Sequence, residues 1–348
     1  MPSVVFLVAI LILPGIPELA TAPRWCVLAA VVPFIWYFNP GTRTRGHVLG
    51  LLFLAWCALS LAWTFNFYDG LLQAGKFGLL GLLFCIGAAR RDLNAVWVAA
   101  ALGAGVNSAI MIAQTLGWDG LPQVTLPAGT FYNKNFAAEF CVIAAVGILG
   151  VPRWRWLVLM AIPGVILGQS KTVFLALGCA LILLIWQKNK VAAALSGAAT
   201  AVLGTIFGGY TFIQRTQMWE DTLAGMTFWG RGIGSFWATY PEYAKQIDSL
   251  ALRPTEAHND LLQLLYELGP GSLVLVALLA FALRGPLTRE HYVTVVFLVI
   301  GLAAFPLYMP ATAMFAALAV GHLCRDRVEL RSPVVERSSV TFAVYPLT

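Results

Sequence analysis

"GLLQAGKFGLLGLLFCIGAARRDLNAVWVAAALGAGVNSAIMIAQTL", residues 70–116, holds two apolar runs parted only by Arg90-Arg91-Asp92-Leu93. A helix rises about 1.5 Å per residue, so about 20 apolar residues cross a hydrocarbon core about 30 Å thick. Residues 70–89 and 94–116 each meet that length, and the basic turn between them cannot enter the core. The stretch therefore reads as a hairpin of two membrane-spanning helices. The ten-residue alternation of a membrane β-barrel is absent from it and from the rest of the chain.

The pattern extends in both directions. Of 348 residues, 59% are hydrophobic and 11% charged, and the mean hydropathy is +0.80, far from the composition of soluble domains. The expected fold class is an all-α integral membrane protein of about 12 transmembrane helices. The expected spans are 3–19, 25–38, 47–63, 70–89, 94–116, 135–151, 155–168, 171–187, 191–208, 259–283, 291–305 and 309–323. Residues 1–324 form one polytopic membrane domain and 325–348 a tail. The start "MPSVVFLVAILILPGIPELATA" imitates a signal peptide with "ATA" as a cleavage site, but it lacks a basic n-region and is read as a span.

Every second loop is basic: Arg43/Arg45, Arg90/Arg91, Arg153/Arg155, Lys188/Lys190, Arg284/Arg289 and Arg325/Arg327. Short cytoplasmic loops are enriched in Lys and Arg, so these loops and both termini are placed in the cytoplasm. Residues 20–24, 64–69, 117–134, 169–171, 209–258 and 306–308 are then exterior. The net charge of +6 is a topology signal, and no basic patch interleaved with aromatics points to nucleic acid. Five of six cysteines lie in spans and none in the long outer loop, which excludes a disulfide scaffold and a CxxC metal site.

Two exterior segments are long enough to carry function, 117–134 and 209–258, the second expected to contain short helices. Its richness in aromatics argues against disorder. His47, His291 and His322 fall at cytoplasmic ends, which leaves His258 as the exterior histidine. It stands in "AHNDLLQLLYELG", at the first turn of a helix entering the membrane. One reading is structural, a helix start capped by Thr255, Asn259 or Asp260. The other is chemical: a neutral imidazole is a suitable general base at neutral pH.

Exterior cations are Arg24, Lys134, Lys171, Arg215, Arg231, Lys245 and Arg253, with Lys76 about two turns inside a span. Lys76 either snorkels to the interface or serves a site. Lys171 sits with Gln169, Ser170 and Thr172 at a tight outer turn. Arg215 opens "RTQMWEDTL", an amphipathic helix that either lies at the headgroups or presents its guanidinium to an anion. Glu139, one turn into a span, is an intramembrane carboxylate suited to pairing with such a cation. The "GRGIGSF" glycines do not form a nucleotide loop, because no strand precedes and no α/β unit follows; they allow tight turns or a close approach of the backbone to a ligand. The exterior has no DxD, HExxH or carboxylate cluster, and no metal or cofactor is expected.

Four motifs occur in order. "GTFYNKNFAAEF", "GQSKTVFLAL", "RTQMWEDTL…GRGIGSF" and "HNDLLQLLYELG" resemble the G-x-F-x-N-x-N, S-R-[ST], R-x-x-x-W…G-x-G-x-x-x-F and H-N-x-x-L…E-x-G segments of the O-antigen ligase and Wzy-type polymerase superfamily, over roughly residues 129–285. The resemblance implies a multi-pass glycosyltransferase of the bacterial inner membrane, its active site facing the periplasm. Such an enzyme moves a glycan from an undecaprenyl-diphosphate carrier to lipid A-core, in lipopolysaccharide biosynthesis, or to another glycan acceptor when it acts as a polysaccharide polymerase. It implies His258 as the catalytic residue and Arg215 as a diphosphate ligand, with Lys171 at the position of the family's second cation; Arg231 and Lys76 join them as candidates only through their charge at the outer face. Asn259, Glu267, Asn135, Gly232 and Gly234 are motif residues in support. Lys171 stands where the family usually has arginine and lacks the bidentate fork. Glu242, Asp248 and Glu256 are candidates to orient His258. A transporter or flippase of lipid-linked glycan is the alternative from another class, although no similarity between the two halves supports it.

Overall fold

A computed structural model describes residues 1–14, 18, 20–38, 45–192, 194, 196–197, 215–245 and 254–329. Among these residues the secondary structure is entirely helical. In chain order the helices are α1 (Pro2–Ile10), α2 (Ala22–Phe38), α3 (Arg45–Ser60), α4 (Phe67–Ala89), α5 (Asn94–Thr115), α6 (Lys134–Leu149), α7 (Val158–Gly168) and α8 (Lys171–Trp186). They continue with α9 (215–224), the short α10 (Phe236–Thr239), α11 (Asp260–Leu268), α12 (Gly271–Ala282), α13 (Arg289–Gly301) and α14 (Pro310–Glu329). Three segments are long and apolar enough to cross a membrane: Arg45–Trp63, Phe67–Ala89 and Asn94–Thr115. The last two are the hairpin read from residues 70–116. Four shorter apolar helices accompany them, Ala22–Phe38, Arg155–Gly168, Lys171–Trp186 and Gly271–Ala282.

The fold is that of an all-α membrane protein with several helices shorter than the expected spans. The expected first span, 3–19, is helical only to Ile10. Most of 191–208 lies outside the described residues, as do Arg43, Asp248, Arg253 and 330–348. The span expected at 259–283 is two helices, because Gly269 takes a positive φ of 51° and Pro270 follows it without an N–H. A Cβ on Gly269 would lie 2.5 Å from the Phe228 carbonyl oxygen, so the break lets the 228–234 backbone cross the helix at contact distance. Trp56 donates its indole N–H to the Leu268 carbonyl freed there, at 2.8 Å.

At the centre, α4 packs along α14. Gly87 and Gly321 allow the approach, since a Cβ at either would fall 2.2 or 2.1 Å from a carbonyl oxygen of the other helix. Small residues at a membrane-helix contact gain dispersion energy where lipid offers no hydrophobic drive. Exposed aromatics collect at both ends of the bundle. Phe65, Phe67, Tyr68, Trp118, Trp229 and Trp237 lie at one, and Tyr37, Phe38, Trp154, Trp156 and Trp186 at the other. Their rings suit the two membrane–water interfaces.

Contacts between loops follow the alternation read from the basic residues. Thr64 donates to the Ile233 carbonyl at 2.7 Å, Trp237 to the Asp69 carboxylate at 3.2 Å, and the Leu307 N–H to Asp260 at 3.1 Å. At the other end, Arg289 bonds Asn94 at 2.8 Å and pairs with Glu290, while His322 reaches the Arg90 carbonyl at 3.1 Å. Loops assigned to one side thus meet at one end of the bundle.

Candidate active site

The site is built around the start of α11. Asn259 is its N-cap, with φ −160° and a side-chain oxygen that accepts from the Leu262 N–H at 3.0 Å, which decides among the three capping candidates. His258 precedes it with φ +51°, a conformation costly for a residue with a Cβ. Both neighbouring groups of Ala257 are tied down. Its N–H donates to Gln263 Oε1 at 2.8 Å, and its carbonyl accepts from the Trp219 indole at 3.0 Å. The imidazole stands edge-on to Phe305, 4.9 Å between centroids. Burial, helped by the nearby Arg215 charge, pushes His258 down to about 4 from 6.5. The ring is therefore neutral at pH 7 and able to accept a proton.

Arg215 reaches His258 through the spacing of R-x-x-x-W. Four residues make about one helical turn, so Arg215 and Trp219 share a face of α9. Trp219, docked on the carbonyl before His258, ties this turn of α9 to that peptide, and the Arg215 charge is near enough to act on the imidazole. Burial pulls Arg215 down from its usual value and the Glu139 carboxylate pulls it up. The Glu139 side chain is 1% exposed. Half-buried and within electrostatic reach of both Glu139 and His258, Arg215 presents a cation in a site of reduced dielectric, where it acts on an anion more strongly than in water.

A second polar pair lies at the same end. Burial raises Glu256, opposed by the Thr255 hydroxyl that donates to it and by Lys76, and reinforced by Glu18. Lys76 thus points toward the site region, its ammonium 5.9 Å from the Trp25 ring centroid.

The remaining candidates take other positions. Arg231 donates to the Gly225 carbonyl at 2.9 Å and to the Tyr243 hydroxyl, stacking 4.6 Å over that ring, so its guanidinium organises the loop. Glu267 clamps the glycine segment: its carboxylate accepts from Gly234 N–H at 3.0 Å and Phe236 N–H at 3.3 Å, and its carbonyl from Gly232 N–H at 2.8 Å. Gly232 and Gly234 have φ of 91° and 72° and touch the backbone of Thr64 and Asp69. Their closeness is to protein. Asn135, the second residue of α6, donates its N–H to the Asn133 cap at 2.9 Å. Lys171 opens α8, exposed. Among the described residues no group of three or more His, Cys, Asp or Glu is placed to hold a metal ion.

Two participants escape a sequence reading. Asp260, passed over as a cap, is 7% exposed and ties α11 to the 306–308 turn. Phe305 meets His258 from the connection between α13 and α14. Comparison with known families finds no matching family model, and comparison with curated proteins finds no significant match.

Proposed function

We propose that this chain is a periplasm-facing glycosyltransferase of about twelve spans in the bacterial inner membrane, moving a glycan from an undecaprenyl-diphosphate carrier to lipid A-core in the manner of an O-antigen ligase. The observation that carries the reading is the Trp219–Ala257 hydrogen bond, which joins the R-x-x-x-W and H-N motifs and brings Arg215 within electrostatic reach of a neutral His258.

The reaction needs two services. An acceptor hydroxyl must lose its proton as its oxygen bonds to the anomeric carbon, and His258 takes that proton. The bond from the anomeric carbon to the diphosphate oxygen breaks with its electron pair leaving on oxygen, and Arg215 stabilises the growing negative charge. Lys76 and Lys171 add positive potential at the same end of the bundle. In this scheme cations of the chain itself carry the leaving-group charge.

Purified protein is to be incubated in detergent with a lipid-diphosphate glycan and a lipid A-core acceptor. Transfer that is lost in His258→Ala supports the reading. Chain extension of the donor without acceptor would indicate a polymerase. Absence of any transfer, with vectorial movement of the lipid in proteoliposomes, would replace the enzyme by a flippase.

A further inference from the structure

The consecutive residues His258, Asn259 and Asp260 divide the work at the start of α11. Asn259 caps the helix, and Asp260 accepts from the Leu307 N–H at 3.1 Å, which ties the 305–308 turn to the helix start. His258 is left to face that turn. Its backbone at φ +51° is held from both sides, by the Asn259 cap and by the hydrogen bonds of Ala257. A strained residue persists only where its surroundings enforce it, so the direction of this side chain is built in.

A histidine base is ordinarily aimed by a hydrogen bond from its second ring nitrogen to a carboxylate or a carbonyl. Among the described residues neither ring nitrogen of His258 has such a partner, and both keep surface open to a substrate. The charged groups around the imidazole are Arg215 on α9, Glu139 on α6, and Glu256 and Asp260 on its own segment. Of the acidic candidates to orient the ring, Glu256 accepts from the Thr255 hydroxyl, and Glu242 lies in the Tyr240–Glu242 turn without a bond to it. What the imidazole touches is Phe305, with ring centroids 4.9 Å apart and planes at 69°. An edge-to-face pair is directional. Phe305 is itself buried, and Phe136 of α6 meets it edge-to-face at 5.1 Å.

We infer that Phe305 is the positioning residue of His258: its ring, carried on the turn that Asp260 latches to α11 and packed on Phe136, holds the imidazole at one angle in the place of an orienting carboxylate. The inference rests on the reading of His258 as the general base. One ring nitrogen is free to take the acceptor proton, and no anion sits on the other. The arrangement suits a site that stabilises a leaving diphosphate, because a carboxylate at the imidazole would also draw on the Arg215 charge that the leaving oxygen needs.

The test uses the full chain in detergent with isotope-labelled histidine in an NMR titration, the His258 signal being the one lost in His258→Gln. Phe305→Leu keeps an apolar side chain and removes the ring. Its imidazole should titrate roughly one pH unit above the wild-type midpoint as water reaches the freed ring, and the acid limb of transfer should move up with it. At neutral pH kcat should fall roughly tenfold with KM for the lipid-diphosphate donor unchanged, since only the aim of the base is lost. Phe305→Tyr, which keeps the ring, should restore both. Asp260→Ala frees the turn and Phe136→Leu loosens the ring from α6; both should shift titration and kcat the same way, and they carry the test if Phe305→Leu is poorly folded. A wild-type midpoint with wild-type kcat in Phe305→Leu overturns the inference, as does a loss confined to KM or to the melting temperature. If the wild-type protein transfers no glycan, the glycosyltransferase reading falls, and the titration still decides how the imidazole is held.

Discussion

Trp219 and Ala257, thirty-eight residues apart, are joined by a 3.0 Å hydrogen bond from indole N–H to backbone carbonyl. This bond fixes one turn of α9 to the peptide that precedes His258, and it converts two short motifs into one site. Trp219→Phe keeps the ring and removes the donor. The loss should be about 1 kcal/mol of stability and, because Arg215 is no longer held to the imidazole, roughly a tenfold drop in kcat/KM for the lipid-diphosphate donor. Steady-state kinetics alongside a thermal melt will show it; an unchanged rate would remove the bond from the mechanism.

The buried, neutral state of His258 sets a pH dependence. With the folded value near 4 and the free value near 6.5, the base stays unprotonated well below pH 6.5, and transfer should hold level from pH 8 to about 5 before falling. Stability follows the same group: the unfolded chain binds the proton at higher pH, so this contribution is complete above 6.5 and shrinks as pH falls toward 4. His258→Gln should remove transfer and flatten that part of the melting curve. An acid limb centred near 6.5 would contradict the buried environment.

Arg215 and Arg231 should separate cleanly. Arg215→Ala removes the cation beside His258 and should lower transfer by about 10²-fold or more, with Arg215→Lys recovering part. Arg231 holds Gly225 and Tyr243, so Arg231→Ala should show mainly as a lower melting temperature. A reversed pattern in donor-binding and melting assays would exchange their roles.

Glu267 and the glycine segment should behave as scaffold. Gly232→Ala places a Cβ 2.3 Å from Thr64 Cα at φ +91°, and strain alone is about 1–3 kcal/mol. Glu267→Gln turns one acceptor toward N–H groups as a donor and should cost a similar amount. Both are measured by thermal unfolding in detergent, and either variant at wild-type stability would argue that the loop is held elsewhere.

Sequence alone determined the material of the fold. Long, predominantly apolar runs such as 70–89 and 94–116 can satisfy their backbone in lipid only as helices, and paired arginines cannot enter the core, so spans and turns are local properties. The helix start after His258 was equally local, since Asn259 caps its own helix, but His258 itself stands before the cap at φ +51° rather than in the first turn. What the sequence left open depends on contacts between distant segments. It left Thr255, Asn259 and Asp260 open as caps, although the Asp260 carboxylate is turned to the Leu307 N–H, and it grouped Arg231 with the anion ligands by charge, although the guanidinium bonds Gly225 and Tyr243. Sequence reads the glycines of "GRGIGSF" as allowing tight turns or a close approach to a ligand, and tertiary packing shows instead a close approach to Thr64, Asp69 and the Glu267 carbonyl. Helix length escaped for the same reason. Gly269 and Pro270 break 259–283 in two, but only the tertiary structure shows that the break is used to admit the 228–234 backbone at contact distance.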